Sequence, residues 1–459
     1  MVSTSISAVS QAQKRYLVLA AVVSSLGGFL FGYDNIVISG AIHYLGLCFH
    51  LSAMGIGWAA GCALIGCIVG SAAAGYVADR LGLRKSLAIC ALCFALSSTG
   101  ILYAGTFRQF VIWRVLGGLG IGAASILSPM YIAEIAPTRL RGRLVTLYQL
   151  GIVVGILSAV FANMLIQRMG NEAWNITAGW KWMFFAGIVP ALVFGLAIAA
   201  SIESPRWLMK MGRRNSALDI LSKVNGSIVA ASEFSNIQTA LDLEDGKLSE
   251  LFTAFRRPLL IGVMLAALQQ LSGITPLFSY LPEIFRSAGT GTSSAFFQSV
   301  LVSLVNLTVT LLALLVVDRA GRKTLMLAGT TVQCISFAMV GWLYHLHGAG
   351  VAILVFVMTF VTGHAFGNGV ACWVVISEIY PTKVRGRAMS IATTALWVVG
   401  FLGNQIFPVM QERLGNDGTF WCLSAAALVG FICTLTLVPE TKGRSLEEIT
   451  AFWIQGAPR

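Results

Sequence analysis

Twelve mostly apolar stretches run the length of this chain, each long enough to cross a hydrocarbon core of about 30 Å as a helix. They lie near 16–42, 51–79, 86–106, 109–133, 144–167, 181–202, 257–285, 294–318, 324–346, 350–379, 387–411 and 419–438. Backbone amides in lipid must be satisfied within their own segment, so each stretch is expected to be a helix, and no alternating ten-residue pattern of a membrane barrel competes. Only 11% of the 459 residues are charged, against about 25% in a soluble domain, so water is not the main solvent.

Basic residues orient the helices. Of 31 lysines and arginines, one set of loops holds only Arg108, Arg168, Lys181, Arg286 and Arg413. Arg114 lies inside a span, and the remainder fall on the side of both termini, which the positive-inside bias places in the cytoplasm. The net charge of +12 is therefore topological, and its scatter over short loops excludes a nucleic-acid surface. The polar start, Met1 to Gln13, lacks the short apolar core and cleavage site of a secretory signal, so Lys14-Arg15 reads as the flank of a first span. Nine cysteines, among them Cys62, Cys67, Cys90, Cys93, Cys372 and Cys433, lie mostly within apolar stretches without Cys/His metal spacing and read as small core residues. No metal site is expected.

The chain divides six plus six. Between the sixth and seventh stretches, Glu203 to Phe255 mixes charges with apolar residues at helical spacing, as short amphipathic cytoplasmic helices do. Glu134-Ile-Ala-Pro-Thr-Arg-Leu-Arg-Gly-Arg143 returns as Glu378-Ile-Tyr-Pro-Thr-Lys-Val-Arg-Gly-Arg387, and Asp79-Arg-Leu-Gly-Leu-Arg-Lys85 returns as Asp318-Arg-Ala-Gly-Arg-Lys323. An internal repeat of this kind is the plan of two pseudo-symmetric bundles with a substrate site between them. The expected fold is an all-α membrane protein of twelve transmembrane helices. Residues 1–202 form an N-terminal six-helix bundle, 203–256 a cytoplasmic helical linker, 257–438 a C-terminal six-helix bundle and 439–459 a cytoplasmic tail.

Gly75-Tyr-Val-Ala-Asp-Arg-Leu-Gly-Leu-Arg-Lys85, Glu203-Ser-Pro-Arg-Trp-Leu208, Gln269-Gln-Leu-Ser-Gly-Ile274, Asp318-Arg-Ala-Gly-Arg322 and Val438-Pro-Glu-Thr-Lys-Gly-Arg444 occur in order and on one face. With these motifs the chain resembles the sugar porters of the major facilitator superfamily, which include bacterial proton-coupled symporters and animal glucose facilitators. The resemblance runs from about Leu17 to Glu448 and implies carriage of a monosaccharide or related polyol by alternating access.

Asp34 is the only carboxylate deep in a span and Arg114 the only deep basic residue. Lone charges at that depth cost at least about 2.5 kcal/mol each, so the two are expected to pair. In the resembling symporters an aspartate in this position takes the proton, whereas facilitators carry a neutral residue; a permanent structural ion pair is the plainer alternative. For a sugar, whose hydroxyls need hydrogen-bond partners, the amides Gln149, Gln269, Gln270 and Asn306 stand out in apolar helices, where helix-to-helix hydrogen bonds are the competing use. The resemblance adds Phe31, Trp373 and Trp397 as pocket aromatics. Thr275, Ser279 and Tyr280 replace an amide and part of a tyrosine pair found in many relatives. His364 stands where an aromatic is expected, and Val370 stands where a proline commonly precedes the tryptophan, although Gly363, Gly367 and Gly369 still loosen that helix.

On the cytoplasmic face Asp79, Arg80, Glu134, Arg143, Glu203, Arg206, Asp318, Arg319, Glu378, Arg387, Glu440 and Arg444 are expected to form a gate of ion pairs, with orientation and lipid headgroups as the alternative use of the arginines. No ATP-binding loop and no nucleophile-base constellation appears, so the chain reads as no enzyme and needs no cofactor beyond a proton as coupling ion. A passive facilitator is the competing reading, with a non-transporting nutrient sensor behind it. The partners are a sugar or polyol, a proton and the lipid bilayer, with no nucleic acid. The chain is expected to work as a monomer in a cell membrane, the bacterial inner membrane.

Overall fold

The computed structural model describes residues 11–136, 141–242, 248–253, 255–347, 350–380, 384–440 and 442. Among these residues eleven helices are long and apolar enough to cross a membrane. The last of them, Gly386–Leu437, contains Gly415 at φ 72° and ψ 175°, which no helix accommodates. Two spans meet there, making twelve. Spans one to five are Gln11–Cys48, Ala53–Leu81, Leu83–Leu102, Phe107–Ile135 and Arg141–Met169. Span six is Glu172–Ala200 and span seven Arg256–Ser279. Spans eight and nine are Thr292–Ala320 and Arg322–His345, span ten is Gly350–Glu378, and spans eleven and twelve lie on either side of Gly415 within Arg385–Leu437.

Without water to squeeze them together, the spans associate by close backbone packing, which small residues permit. Spans two and four touch so tightly that a Cβ on Gly66 would lie 2.1 Å from the Val115 carbonyl and one on Gly118 1.9 Å from that of Ala63. The outer surface is the reverse of a soluble protein's. Leu196, Leu315 and Val351 are 72%, 73% and 68% exposed, a pattern that suits hydrocarbon on that side. Short helices Pro205–Lys210, Arg214–Asn225, Ser227–Asp242 and Leu248–Phe252 join the halves at one end of the bundle, the linker face; the other end is the far face.

The two halves repeat each other in detail at the linker face. The chain turns between spans two and three at Gly82 (φ 88°) and between spans eight and nine at Gly321 (φ 90°). In the first half the Glu203 carboxylate accepts the Arg84 backbone N–H at 3.1 Å. In the second, Glu440 accepts those of Arg322 at 3.2 Å and Lys323 at 3.1 Å. Each carboxylate thus occupies the positive end of a helix, where free N–H groups and the helix dipole favour an anion.

Two spans depart from regular helix. Span seven breaks after Leu271 and restarts as Ile274–Ser279, with Gly273 left-handed at φ 84°, and after Tyr280 it continues as Leu281–Ser287. Span ten is π-helical from Ala365 to Ala371; Gly363 and Gly367 lie against Gly329 of span nine there, where added side chains would collide. The loosening expected from these glycines is realised as a widened turn. Span six begins earlier than residue 181, because Asn171 caps a helix at Glu172 with its side chain accepting the Trp174 N–H, and the helix then runs on through a π turn from Asn175 to Gly179. Within that turn Asn175 is 1% exposed and donates to the Gln167 carbonyl at 2.9 Å.

Candidate functional site

Span one carries Asp34 and span four carries Arg114 to the same depth. Arg114 Nη1 donates to Asp34 Oδ2 at 2.7 Å and Nη2 to the Asp34 carbonyl at 3.2 Å. The arginine side chain is 1% exposed and that of the aspartate 13%, and the guanidinium lies 5.0 Å from the centre of the Phe184 ring in span six. Neither charge would be stable there alone, and one ion pair answers both. Phe184 is a member that sequence reasoning passed over, since one phenylalanine in an apolar span carries no distinguishing signal.

Around the break in span seven, Gln269, Gln270 and Thr275 form a chain. Thr275 Oγ1 donates to Gln270 Oε1, and Gln270 Nε2 donates to Gln269 Oε1 at 3.5 Å. Gln270 also lies against Gly400 of span eleven, 3.4 Å from where a Cβ would stand. One turn away on that span, Trp397 meets Phe31 of span one with ring centres 5.4 Å apart. Amides and aromatic faces from spans one, seven and eleven therefore adjoin, an arrangement suited to a solute with hydroxyls on its rim and CH groups on its faces.

Other candidates stand further off. Tyr280 donates its hydroxyl to the Asn404 carbonyl at 2.9 Å and stacks on Phe407 at 5.1 Å, both contacts within the second half. Ser279 is 1% exposed and Asn306 6% exposed, the latter on span eight, which packs against the π segment of span ten. His364 immediately precedes that segment and is 7% exposed; its ring stacks near Phe360 at 6.5 Å, and Nδ1 is buried without a protein partner among the described residues. Trp373 packs half-buried against the core. Gln149 is half-buried on span five, which lies along span one.

The expected gate residues take partners at the linker face. Asp79 receives Lys210 Nζ at 2.8 Å, and its carbonyl receives Trp207 Nε1 at 2.9 Å; both donors belong to the linker helix Pro205–Lys210. Arg80 covers the Tyr76 ring at 4.3 Å. Glu134 accepts from Ser204 Oγ. Glu378 accepts from Arg322 Nη2 at 3.2 Å, and the Arg319 carbonyl accepts from Lys442 Nζ at 2.6 Å. Arg206 is half-buried and Arg387 exposed; both have interaction partners. The partnered pairs just named run within one half or between the first half and the linker. The side chains of Arg143 and Asp318, and the whole of Arg444, lie outside the described residues.

Contacts between the halves gather toward the far face. His43 Nδ1 of span one lies 3.5 Å from Glu283 Oε2 beyond span seven. Asn404 Nδ2 of span eleven reaches the Ala60 carbonyl of span two at 3.3 Å, and Gln405 Nε2 reaches that of Met54 at 3.0 Å.

Known proteins share this architecture. The family model described as "Sugar (and other) transporter" matches residues 20–453. The chain is 38% identical over 443 residues to the arabinose-proton symporter of Bacillus subtilis, covering 96% of each. It is 36% identical over 476 residues to the D-xylose-proton symporter of Escherichia coli, covering 97% of each. The solved inward open conformation of the Escherichia coli xylose transporter superimposes with a TM-score of 0.86 at 35% identity, covering 95% of this chain and 100% of that one. The same transporter bound to 6-bromo-6-deoxy-D-glucose gives 0.81 at 35% identity, covering 96% and 100%. By its family match, its relatives and its fold, the chain belongs to the sugar (and other) transporter family of the major facilitator superfamily, a family of membrane transporters and not of enzymes.

Proposed function

We propose that this chain is a proton-coupled symporter for a monosaccharide or related polyol, working as a monomer in a bacterial cell membrane with its linker face toward the cytoplasm. The observation that carries the reading is the buried ion pair of Asp34 and Arg114, 2.7 Å apart. Relatives named as arabinose-, xylose- and galactose-proton symporters support it.

Coupling follows from electrostatics. A proton on Asp34 removes the negative charge that holds Arg114, and the freed guanidinium must find other partners, which changes the packing of span one against span four. Any ligand or proton shifts the equilibrium between far-open and linker-open states only by its difference in affinity for the two. A sugar bound by Gln149, Gln269, Gln270, Thr275, Ser279, Tyr280, Asn306 and His364, and stacked on Phe31, Trp373 and Trp397, supplies the second difference. Six spans on each side of the site then rock as bundles.

Uptake into proteoliposomes tests this with labelled D-xylose, L-arabinose, D-galactose and inositol, with and without an imposed inward proton gradient. The expected outcome is accumulation of at least one of them above its outside concentration only with the gradient. Asp34→Asn should lose accumulation while keeping counterflow exchange. Uphill accumulation by the Asn variant would defeat the assignment of the proton to Asp34, and gradient-independent uptake by the wild type would make the chain a facilitator.

A further inference from the structure

Span nine contributes none of the candidate sugar residues, yet it buries one amide completely. Gln333 is 0% exposed, and an amide in an apolar span destabilises the protein unless it is partnered. Its Oε1 accepts from Asn368 Nδ2 of span ten at 3.5 Å. The Asn368 carbonyl accepts from Gln269 Nε2 of span seven at 3.4 Å. Gln333 Nε2 has no protein partner among the described residues, so its hold on this group runs through Oε1. Asn368 lies in the middle of the π segment Ala365–Ala371. In a π-helix each carbonyl accepts from the N–H five residues on, and its oxygen keeps a second lone pair, which here serves the Gln269 amide.

We propose that Gln333 and Asn368 are positioning residues for sugar recognition: Gln333 fixes Asn368, and Asn368 fixes which end of the Gln269 amide is turned toward Gln270. With Nε2 of Gln269 engaged by Asn368, its Oε1 is the atom presented to Gln270, and from there the order passes to Thr275. A chain of amides from span nine thus sets the hydrogen-bonding polarity around the break in span seven. The inference rests on reading Gln269 as a substrate-binding residue. Both links are at the long end of the hydrogen-bond range, so each contributes modestly.

The test is a double-mutant cycle in proteoliposomes with D-xylose and L-arabinose as probes. Gln333→Met, which keeps the volume and removes the acceptor, should raise KM about fivefold with Vmax nearly unchanged. In a Gln269→Ala background the same substitution should raise KM no further. Asn368→Leu cuts the link from the other side and should reproduce the Gln333→Met phenotype, which covers the case in which Gln333→Met does not fold. An unchanged KM, or an equal rise in both backgrounds, would overturn the relay. Thermal unfolding of the same four proteins in detergent reads the relay without sugar: midpoints that do not add support it, and additive midpoints refute it. A wild type that transports neither sugar counts against the proposed substrate class alone.

Discussion

Arg114 shows what one buried charge demands of its neighbours. It is 1% exposed and paired with Asp34, with the Phe184 ring beside it. Removing one member of such a pair leaves the other charge unanswered in a medium that solvates it poorly, at a cost of about 3–5 kcal/mol, whereas removing both is far milder. Asp34→Asn combined with Arg114→Leu is therefore expected to unfold at a higher temperature than Arg114→Leu alone. A thermal melt in detergent measures it, and a double variant less stable than the single would argue against burial as the reason for pairing. The pair was legible in sequence because carboxylates and guanidiniums inside spans are rare. Gln333 was not, because one glutamine in an apolar helix reads the same whether it glues two helices or orients a third.

At the scale of elements, the twelve spans were legible because lipid leaves the backbone little choice but helix, and their length follows from bilayer thickness. Irregularities inside them were harder to see. The glycines of span ten pointed to its widened turn, but Ser272-Gly273 gave no clear sign that span seven breaks beside the candidate glutamines, since the same dipeptide occurs in continuous membrane helices. At φ 84°, Gly273 holds a conformation that costs an ordinary residue roughly 1–2 kcal/mol. A Cβ there would also stand 3.1 Å from Leu423 and 3.2 Å from Phe337. Gly273→Ala is expected to lower the melting temperature and slow sugar uptake, and Gly273→Asn to do less harm, because asparagine tolerates the left-handed region better. Equal effects of the two would point to crowding, and not backbone angle, as the constraint.

For the whole molecule, the far-face contacts describe a protein closed at that end, in keeping with the higher TM-score to the inward open transporter than to the sugar-bound one. If those contacts open once per cycle, holding them shut stops turnover. Cysteines introduced as His43→Cys and Glu283→Cys, in a background cleared of native cysteines, should be bridged by a short bifunctional thiol reagent. Bridging should abolish uptake and reduction should restore it; undiminished transport after bridging would mean that this end does not open. The described gate residues lie at the opposite end, and their described contacts hold spans of one half, or the first half and the linker, to each other.

The matching carboxylates Glu203 and Glu440 carry this further. Each, just outside a six-helix body, grips the start of a span within the body it adjoins, Glu203 at Arg84 and Glu440 at Arg322 and Lys323, so a rocking movement is expected to carry both grips along intact. A contact present equally in both end states cancels from the equilibrium between them. Glu203→Gln or Glu440→Gln should therefore shorten the lifetime of the purified protein in detergent while leaving unaltered the proportion of molecules open to either side.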